Sequence, residues 1–343
     1  ESGRLGVISL MDESGGDPAR AAVLAAAHLK GSGILTSGGQ AFCAVGGSWR
    51  ALATLHQLRS RYPLHMVHGY SVSAADLLKL CDELLESGRR KLSALSQIEE
   101  PRRSQLPFAA AVMATVLRRG GFSRVVFSAQ GIREGYLYAL LSEAEQQVDP
   151  LLQATAEISL LRSRAPAFAA DLIAGSHNFL ALLGVSETGA EARLRYAACN
   201  LSDIGWRAHP EYQGEQSIDL VAFSGLVGID HPGRAFLAET VAIRYMGLKR
   251  KTAHARVLAL AGKELTRRAR LLGAYFRVAY PLAAASPDIL PRTSFTLSGR
   301  TLVLHLPEDL AFLASGRLVA RHDQLASEAG LKKAEIRFES LGA

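Results

Sequence analysis

Two places in the chain set glycine between a strand-like apolar run and a helix-like run, which offers main-chain N–H groups to an anion. Residues 122–141, FSRVVFSAQGIREGYLYALL, read as a short buried strand over 124–128, a turn at Ala129-Gln130-Gly131, and a helix over 133–141. Residues 41–45 read as a second buried strand that ends in Gly46-Gly47, with a helix over 48–61 behind it. The first N–H groups of a helix have no internal partners and carry the positive end of its dipole, so both bends suit a phosphate oxygen. A turn glycine has the same signature, and spacing alone leaves both readings open.

Basic residues supply the second possible chemistry. If residues 253–280 form one helix, Arg256, Lys263, Arg267, Arg270 and Arg277 fall within roughly 80° of one another on its wheel. Leu258, Leu265, Leu272, Phe276 and Ala279 take the other side. With Lys249, Arg250 and Lys251 just upstream, this face is either a solvated surface or a track for an extended polyanion, whose binding releases counterions and weakens with salt.

These candidates need elements to hold them. Residues 5–11 read as a strand and 18–30 as an alanine-rich helix with proline in its first turn. His65 and His68 flank a probable strand and read as packing or hydrogen-bonding residues. Residues 73–86 form a helix capped by Ser73 with Asp76 in the capping-box position, closed by Gly88. Arg102, Arg103 and Pro107 precede a helix over 108–119. From Asp149-Pro150 onward, apolar spacings of three and four replace the strand signal and indicate a helical domain. After the long basic segment, residues 293–297 and 301–306 pair as a hairpin, followed by a helix over 318–328 and a strand over 334–338.

Bulk properties narrow the class. A chain of 343 residues with 48% hydrophobic content is long enough for two or three domains. Its apolar runs fall short of the ~18 residues of a membrane span, so the expectation is a soluble chain with no membrane partner and a cytoplasmic location. Cys43, Cys81 and Cys199 show no C-x-x-C spacing and read as reduced core thiols. A net charge of +7 favours a polyanionic partner. With 7% aromatics, base-stacking platforms are poorly supplied, and no specific nucleic acid is expected.

Residues 128–135, with Ser128, Gly131, Arg133, Glu134 and Gly135, resemble the S-x-x-G-[IL]-R-E-G signature of the exopolyphosphatase and guanosine pentaphosphate phosphohydrolase (Ppx/GppA) family. Residues 44–50 (AVGGSWR), 63–70 (PLHMVHGY), and Arg102 followed by Leu106-Pro107 agree with it in the same order. The resemblance implies an α/β plus all-α protein: residues 1–147 as the second lobe of an actin-like (ASKHA, ribonuclease H-like) fold, 148–250 as a helical HD-like domain, and 251–343 as the long basic helix and a small α+β domain. It implies phosphate binding by Gly46, Gly47, Ser48, Gly131, Arg133 and Arg102. Polyphosphate or guanosine pentaphosphate is the implied substrate, Mg2+ the cofactor, and a homodimer the assembly.

The family's first phosphate loop, catalytic glutamate and second loop find no match in the 343 residues. Leu5-Gly6-Val7 resembles the segment after that second loop, so no catalytic residue or magnesium ligand is assigned, and the chain alone is expected to be inactive. Glu134 matches a structural position of the signature rather than a general base. A non-catalytic polyanion-binding module is the competing class.

Residues 200–205 (NLSDIG) also resemble the H-D-[IV]-G core of metal-dependent HD phosphohydrolases, but Ser202 stands in the histidine position. A serine hydroxyl is a poor transition-metal ligand. His177, Asp203, His209 and His231 are the remaining candidate ligands, and the expectation is an HD-like scaffold without HD chemistry.

Overall fold

The computed structural model describes residues 3–33, 35, 39–87, 94–249 and 251–339. Gly88 and Arg250 lie outside the described residues. The chain divides into two compact units, Glu1–Gln147 and Val148–Ala343.

The first unit contains α1 (Val7–Glu13), α2 (Pro18–His28), β1 (Ala41–Val45), α3 (Gly47–Arg59), β2 (Tyr70–Ser73), α4 (Ala74–Ser87), α5 (Glu100–Gly120), β3 (Arg124–Ser128), α6 (Ile132–Ala139) and α7 (Glu143–Gln146). The described strands run in the order β1-β3-β2, with β1 parallel and β2 antiparallel to β3. Every residue of α5 from Leu106 to Leu117 is buried, as expected of a helix that is apolar all round. One side of α5 packs on α3, α4 and the sheet through Leu106, Ala110, Met113 and Phe127, and the other on α1 and α2 through Phe108, Val112, Leu10 and Ala21.

Several expectations change here. Residues 5–11 are not a strand: Val7, Leu10 and Met11, spaced three and four apart, face α5 as one turn-repeating helical stripe. The helix expected from 108 begins at Glu100 with Pro101 in its first turn, and Pro107 lies inside it. The strand near the histidines is Tyr70–Ser73, beyond both. Strand β1 is only partly buried, with Ala44 inside and Cys43 and Val45 exposed, because one sheet face is covered by helices and the other is not. Cys43 is therefore not a core thiol, whereas burial pushes the thiols of Cys81 and Cys199 up to about 12 and keeps them protonated. Helix α4 follows the sequence closely: the amide of Asp76 donates to Ser73 Oγ at 3.0 Å, and Ser73 donates to Asp76 Oδ2 at 2.6 Å.

The second unit contains α8 (Pro150–Arg162), α9 (Phe168–Leu182), α10 (Gly189–Leu201), α11 (Gln213–Ala222), α12 (His231–Met246), α13 (Ala255–Leu258), α14 (Gly262–Ala283), β4 (Ser294–Ser298), β5 (Thr301–Pro307), α15 (Gly316–Glu328) and β6 (Lys333–Glu339). Helix α12 is buried from Gly233 to Arg244 and lies against α14, where a Cβ at Gly273 would sit 2.7 Å from Ile243 Cβ. The hairpin β4–β5 turns at Gly299-Arg300, and β6 returns parallel to β5 after α15. Leu302, Leu304, Leu318 and Leu325 share one core with Leu151, Phe179 and Phe276, so segments 148–250 and 251–343 are packed together.

The long basic helix is interrupted. Residues 255–258 form the short α13, a 3-10 turn follows, and α14 starts at Gly262, whose φ of +70° breaks the helical path. Arg256 therefore lies on a different helix from Lys263, Arg267, Arg270 and Arg277. No described helix is long and apolar enough to cross a membrane.

Candidate phosphate site and basic groove

The two glycine bends are neighbours. Because β1 and β3 are parallel and adjacent, with Val45 opposite Ser128, both chains turn at the same end of the sheet. In parallel sheets that carboxyl end is where ligands are bound. Gly46 takes φ +133° and ψ 156°, a region that essentially only glycine adopts, and it caps α3 without any side-chain hydrogen bond. Among the described residues, no side chain caps the first turn of α3, with Gly47 and Ser48. Gly131 differs: its φ of −134° is ordinary extended backbone, and a Cβ there would meet nothing closer than Glu134 Oε2 at 3.6 Å and Val45 Cγ1 at 3.9 Å.

Two side chains give this end of the sheet its charge. Arg50, one turn into α3, donates from Nη1 to the carbonyl of Ala129 at 3.1 Å and so bridges the bends. Glu134 turns back on its own helix and accepts from the Gly131 amide at 2.6 Å. The Gly131 amide first, then Glu134's own amide, hold this carboxyl below the usual glutamate range. The positive start of α6 is thus already matched by an internal carboxylate. Arg133 extends into solvent with its Nε 4.0 Å from Glu134 Oε1. Arg102 is exposed in the first turn of α5, and among the described residues no hydrogen bond or ion pair joins it to either bend. His68 Nδ1 accepts from the Ala129 amide at 3.4 Å, while His65 is exposed.

Arg50 was not singled out from sequence, although it closes the AVGGSWR stretch. Its spacing, four residues beyond Gly46, is the signal that places it on the first helical turn over the bend.

The HD-like motif has another use. Asp203, 4% exposed, receives Arg164 Nε and Nη2 at 2.9 Å each and Arg244 Nη2 at 2.5 Å. The Arg244 guanidinium lies 3.7 Å from the ring centre of Tyr280. Ser202 donates to the Cys199 carbonyl at 2.7 Å and shares a 2.8 Å hydrogen bond with the Tyr280 hydroxyl. His177 and His209 are exposed, and His231 is buried at the start of α12. Among the described residues no three His, Cys, Asp or Glu side chains gather as a metal-binding group.

The basic residues of α14 separate by environment. Arg267 is paired on the surface with Glu264, one turn back. Lys263 and Arg270 line a cavity of about 750 Å3 with Lys251. Arg270, with Arg277 and Lys249, also lines a second cavity of about 500 Å3. Arg270 is held by both carboxylate oxygens of Glu328. Lys263, Arg270 and Arg277 are seven residues apart, so they form one nearly straight stripe.

Comparison with known proteins gives the family. The profile of the Ppx/GppA phosphatase family matches residues 9–144, and that described as "Exopolyphosphatase, C-terminal" matches residues 151–336. The chain belongs to the Ppx/GppA phosphatase family. Among individual proteins it is similar to Retrograde regulation protein 2 of Saccharomyces cerevisiae (strain ATCC 204508 / S288c), 26% identical over 216 residues, 59% of this chain and 35% of the yeast protein. The chain spans about a third of the length of that relative.

Proposed function

We propose that this chain serves an exopolyphosphatase-type phosphoanhydride hydrolase that releases terminal phosphate from inorganic polyphosphate. Unit 1 is read as the second lobe of an actin-like fold, and the helices of unit 2 as an HD-like scaffold without HD metal chemistry. The observation that carries this reading is the Gly46-Gly47 and Gly131 bends side by side at the carboxyl end of β1 and β3, tied by Arg50. Gly46, Gly47 and Ser48 present uncapped amides, and Arg50 adds a fixed positive charge for the terminal phosphoryl group. Gly131, Arg133 and Arg102 complete the proposed phosphate set. Polyphosphate is favoured over guanosine pentaphosphate by the groove along Lys251, Lys263, Arg270 and Arg277, since a nucleotide needs only a compact pocket.

Members of this family are expected to depend on Mg2+. The described residues around the bends do not fit that ion: Glu134 is committed to the Gly131 amide, and no group of three potential ligands is present among them. No step is therefore assigned to the metal.

The test is phosphate release by the full-length protein from long-chain polyphosphate and from guanosine pentaphosphate, run in parallel. Arg50→Gln should lower the rate by roughly 100-fold, as loss of a fixed oxyanion donor does. An unchanged rate would refute the assignment of the bends. The yeast relative's name, which speaks of regulation alone, favours a second reading, a non-catalytic regulatory module, in which polyanion binding would rest on the basic groove of this chain. Binding of polyphosphate without turnover by the full-length protein would establish that alternative.

A further inference from the structure

Strand β6 ends the sheet β4-β5-β6, and among the described residues no strand lies on its outer side. Its seven residues alternate in character. Lys333, Glu335, Arg337 and Glu339 share one face, and Ala334, Ile336 and Phe338 share the other. The Lys333 amide donates to the carbonyl of Arg300, at the foot of β5, at 3.4 Å. Main-chain groups point alternately to the two sides of a strand, so those of Ala334, Ile336 and Phe338 point away from β5. An outward row of such groups is a template for a further strand.

The edge also has room beside it. A cavity of about 270 Å3 is lined by Ala334, Glu335 and Ile336 of β6 and by Val319 and His322 of α15. Consecutive strand residues point to opposite faces, so a cavity that touches all three runs along the outer edge. Phe338, also in its wall, is 49% exposed, and Val319 is 44% exposed.

The charge pattern identifies what fits there. When two copies of β6 run antiparallel about a twofold axis at Ile336, Lys333 faces the second copy's Glu339, and Glu335 faces its Arg337. Both are opposite-charge pairs, at the positions where side chains across an antiparallel pair are closest. On the other face Phe338 falls opposite the small Ala334 of the second copy, at the cavity wall. Moving the axis by one residue sets Glu335 or Arg337 against itself, and moving it by two leaves only three of the seven residues paired. Charge by itself blunts an edge against pairing. Here the signs alternate so that the strand accepts a copy of itself in one register. Within one copy Arg337 is paired with Glu335 at 2.7 Å and Glu339 with His305 at 2.5 Å, which orders these side chains on their face.

We infer that β6 is a self-docking edge through which two copies of this chain join into one continuous sheet, in the order β4-β5-β6-β6-β5-β4. The alternating charges set the register, while main-chain hydrogen bonds and burial of Phe338 supply the affinity. This surface is independent of the phosphate chemistry proposed for unit 1.

The test is the light-scattering mass, over a concentration series, of the 343-residue chain carrying Tyr136→Glu and Leu140→Glu, so that the exposed apolar residues of α6 take no part. The expected result is twice the chain mass. Glu335→Arg and Arg337→Glu, each added to that chain, set like charges opposite one another and should weaken association about tenfold. Mixed in equal amounts, these two variants should pair with each other at the original affinity, because each supplies the charge the other needs. Ile336→Pro removes one outward amide that the sheet does not use, so it should abolish the dimer and leave the melting temperature nearly unchanged. A chain that stays monomeric throughout the series, a dimer indifferent to the charge variants, or a mixture no tighter than its components would each overturn the inference.

Discussion

Arg50 Nη1 lies 3.1 Å from the carbonyl oxygen of Ala129, so a side chain on α3 holds the turn that leads from β3 into α6. The spacing of the bends thus depends on one flexible side chain as well as on the parallel pairing of β1 with β3. Replacing Arg50 with glutamine is expected to leave the melting temperature nearly unchanged, since the residue is partly exposed. Amide hydrogen exchange at residues 129–131 should accelerate, and protection equal to the parent's would argue against the tie.

The two bend glycines should respond differently to alanine. At Gly46 the backbone lies where a Cβ is strained, so Gly46→Ala is expected to destabilise unit 1 by about 1–3 kcal/mol. Gly131→Ala has ordinary φ and ordinary contacts, and stability should be retained. Urea denaturation of the two variants separates them. If Gly131→Ala nonetheless weakens tripolyphosphate binding, its cause is crowding of the ligand.

Glu134 competes with any anion for the start of α6. Glu134→Gln removes that negative charge while keeping an acceptor for the Gly131 amide. Measured by calorimetric titration, it should strengthen tripolyphosphate binding by a few-fold. A weaker complex in the same titration would instead give Glu134 a direct part in holding the ligand.

Asp203 makes a prediction opposite to that of a metal ligand. Removing it by Asp203→Ala leaves Arg244, which is 7% exposed, without its counter-charge. A loss of about 3–5 kcal/mol is expected from breaking a buried pair in this way. Thermal unfolding with and without added divalent metal measures it, and the loss should be the same in both.

Acid should release the joint between α8 and α10. Asp149 accepts from the amides of Leu151 at 2.9 Å and Leu152 at 3.1 Å and is paired with Arg193. The Arg193 hydrogen bond, opposed by partial burial and aided by the Leu152 amide, holds this carboxyl below the usual aspartate range. A carboxyl lowered by folding stabilises above its unfolded value, about 3.9, and that contribution disappears as the pH falls through its folded value. Asp149→Ala should cost about 1 kcal/mol at neutral pH from the lost cap alone. The difference from the parent should vanish in acid, as read from melting curves at several pH values.

The sequence showed most of what depends on local pattern. The strands around Val125 and Ala44, the glycine bends after them, the Ser73 cap and the β4–β5 hairpin all follow from short-range periodicity and turn chemistry. Residues 5–11 were misread because seven apolar-rich residues fit either period, and only the neighbouring α5 selects the helix. The unbroken basic helix failed at Gly262, where a single left-handed residue shifts the wheel for all that follows. The pairings of Glu134 with Gly131, Arg50 with Ala129 and Asp203 with two arginines were invisible for a different reason. Apart from the first, they join residues far apart in sequence, and all three depend on rotamers set by packing.

Helix α6 has no buried residue, and its apolar side chains face water, as does its C-cap: Ile132 is 90% exposed, Tyr136 67% and the capping Leu140 65%. A contiguous oily ridge of this kind is adhesive in dilute buffer. Preparations of the polypeptide by itself should run as concentration-dependent clusters in size-exclusion chromatography and bind the dye ANS. Mild detergent, or charged replacements at Tyr136 and Leu140, should restore a single sharp peak and lower the dye signal.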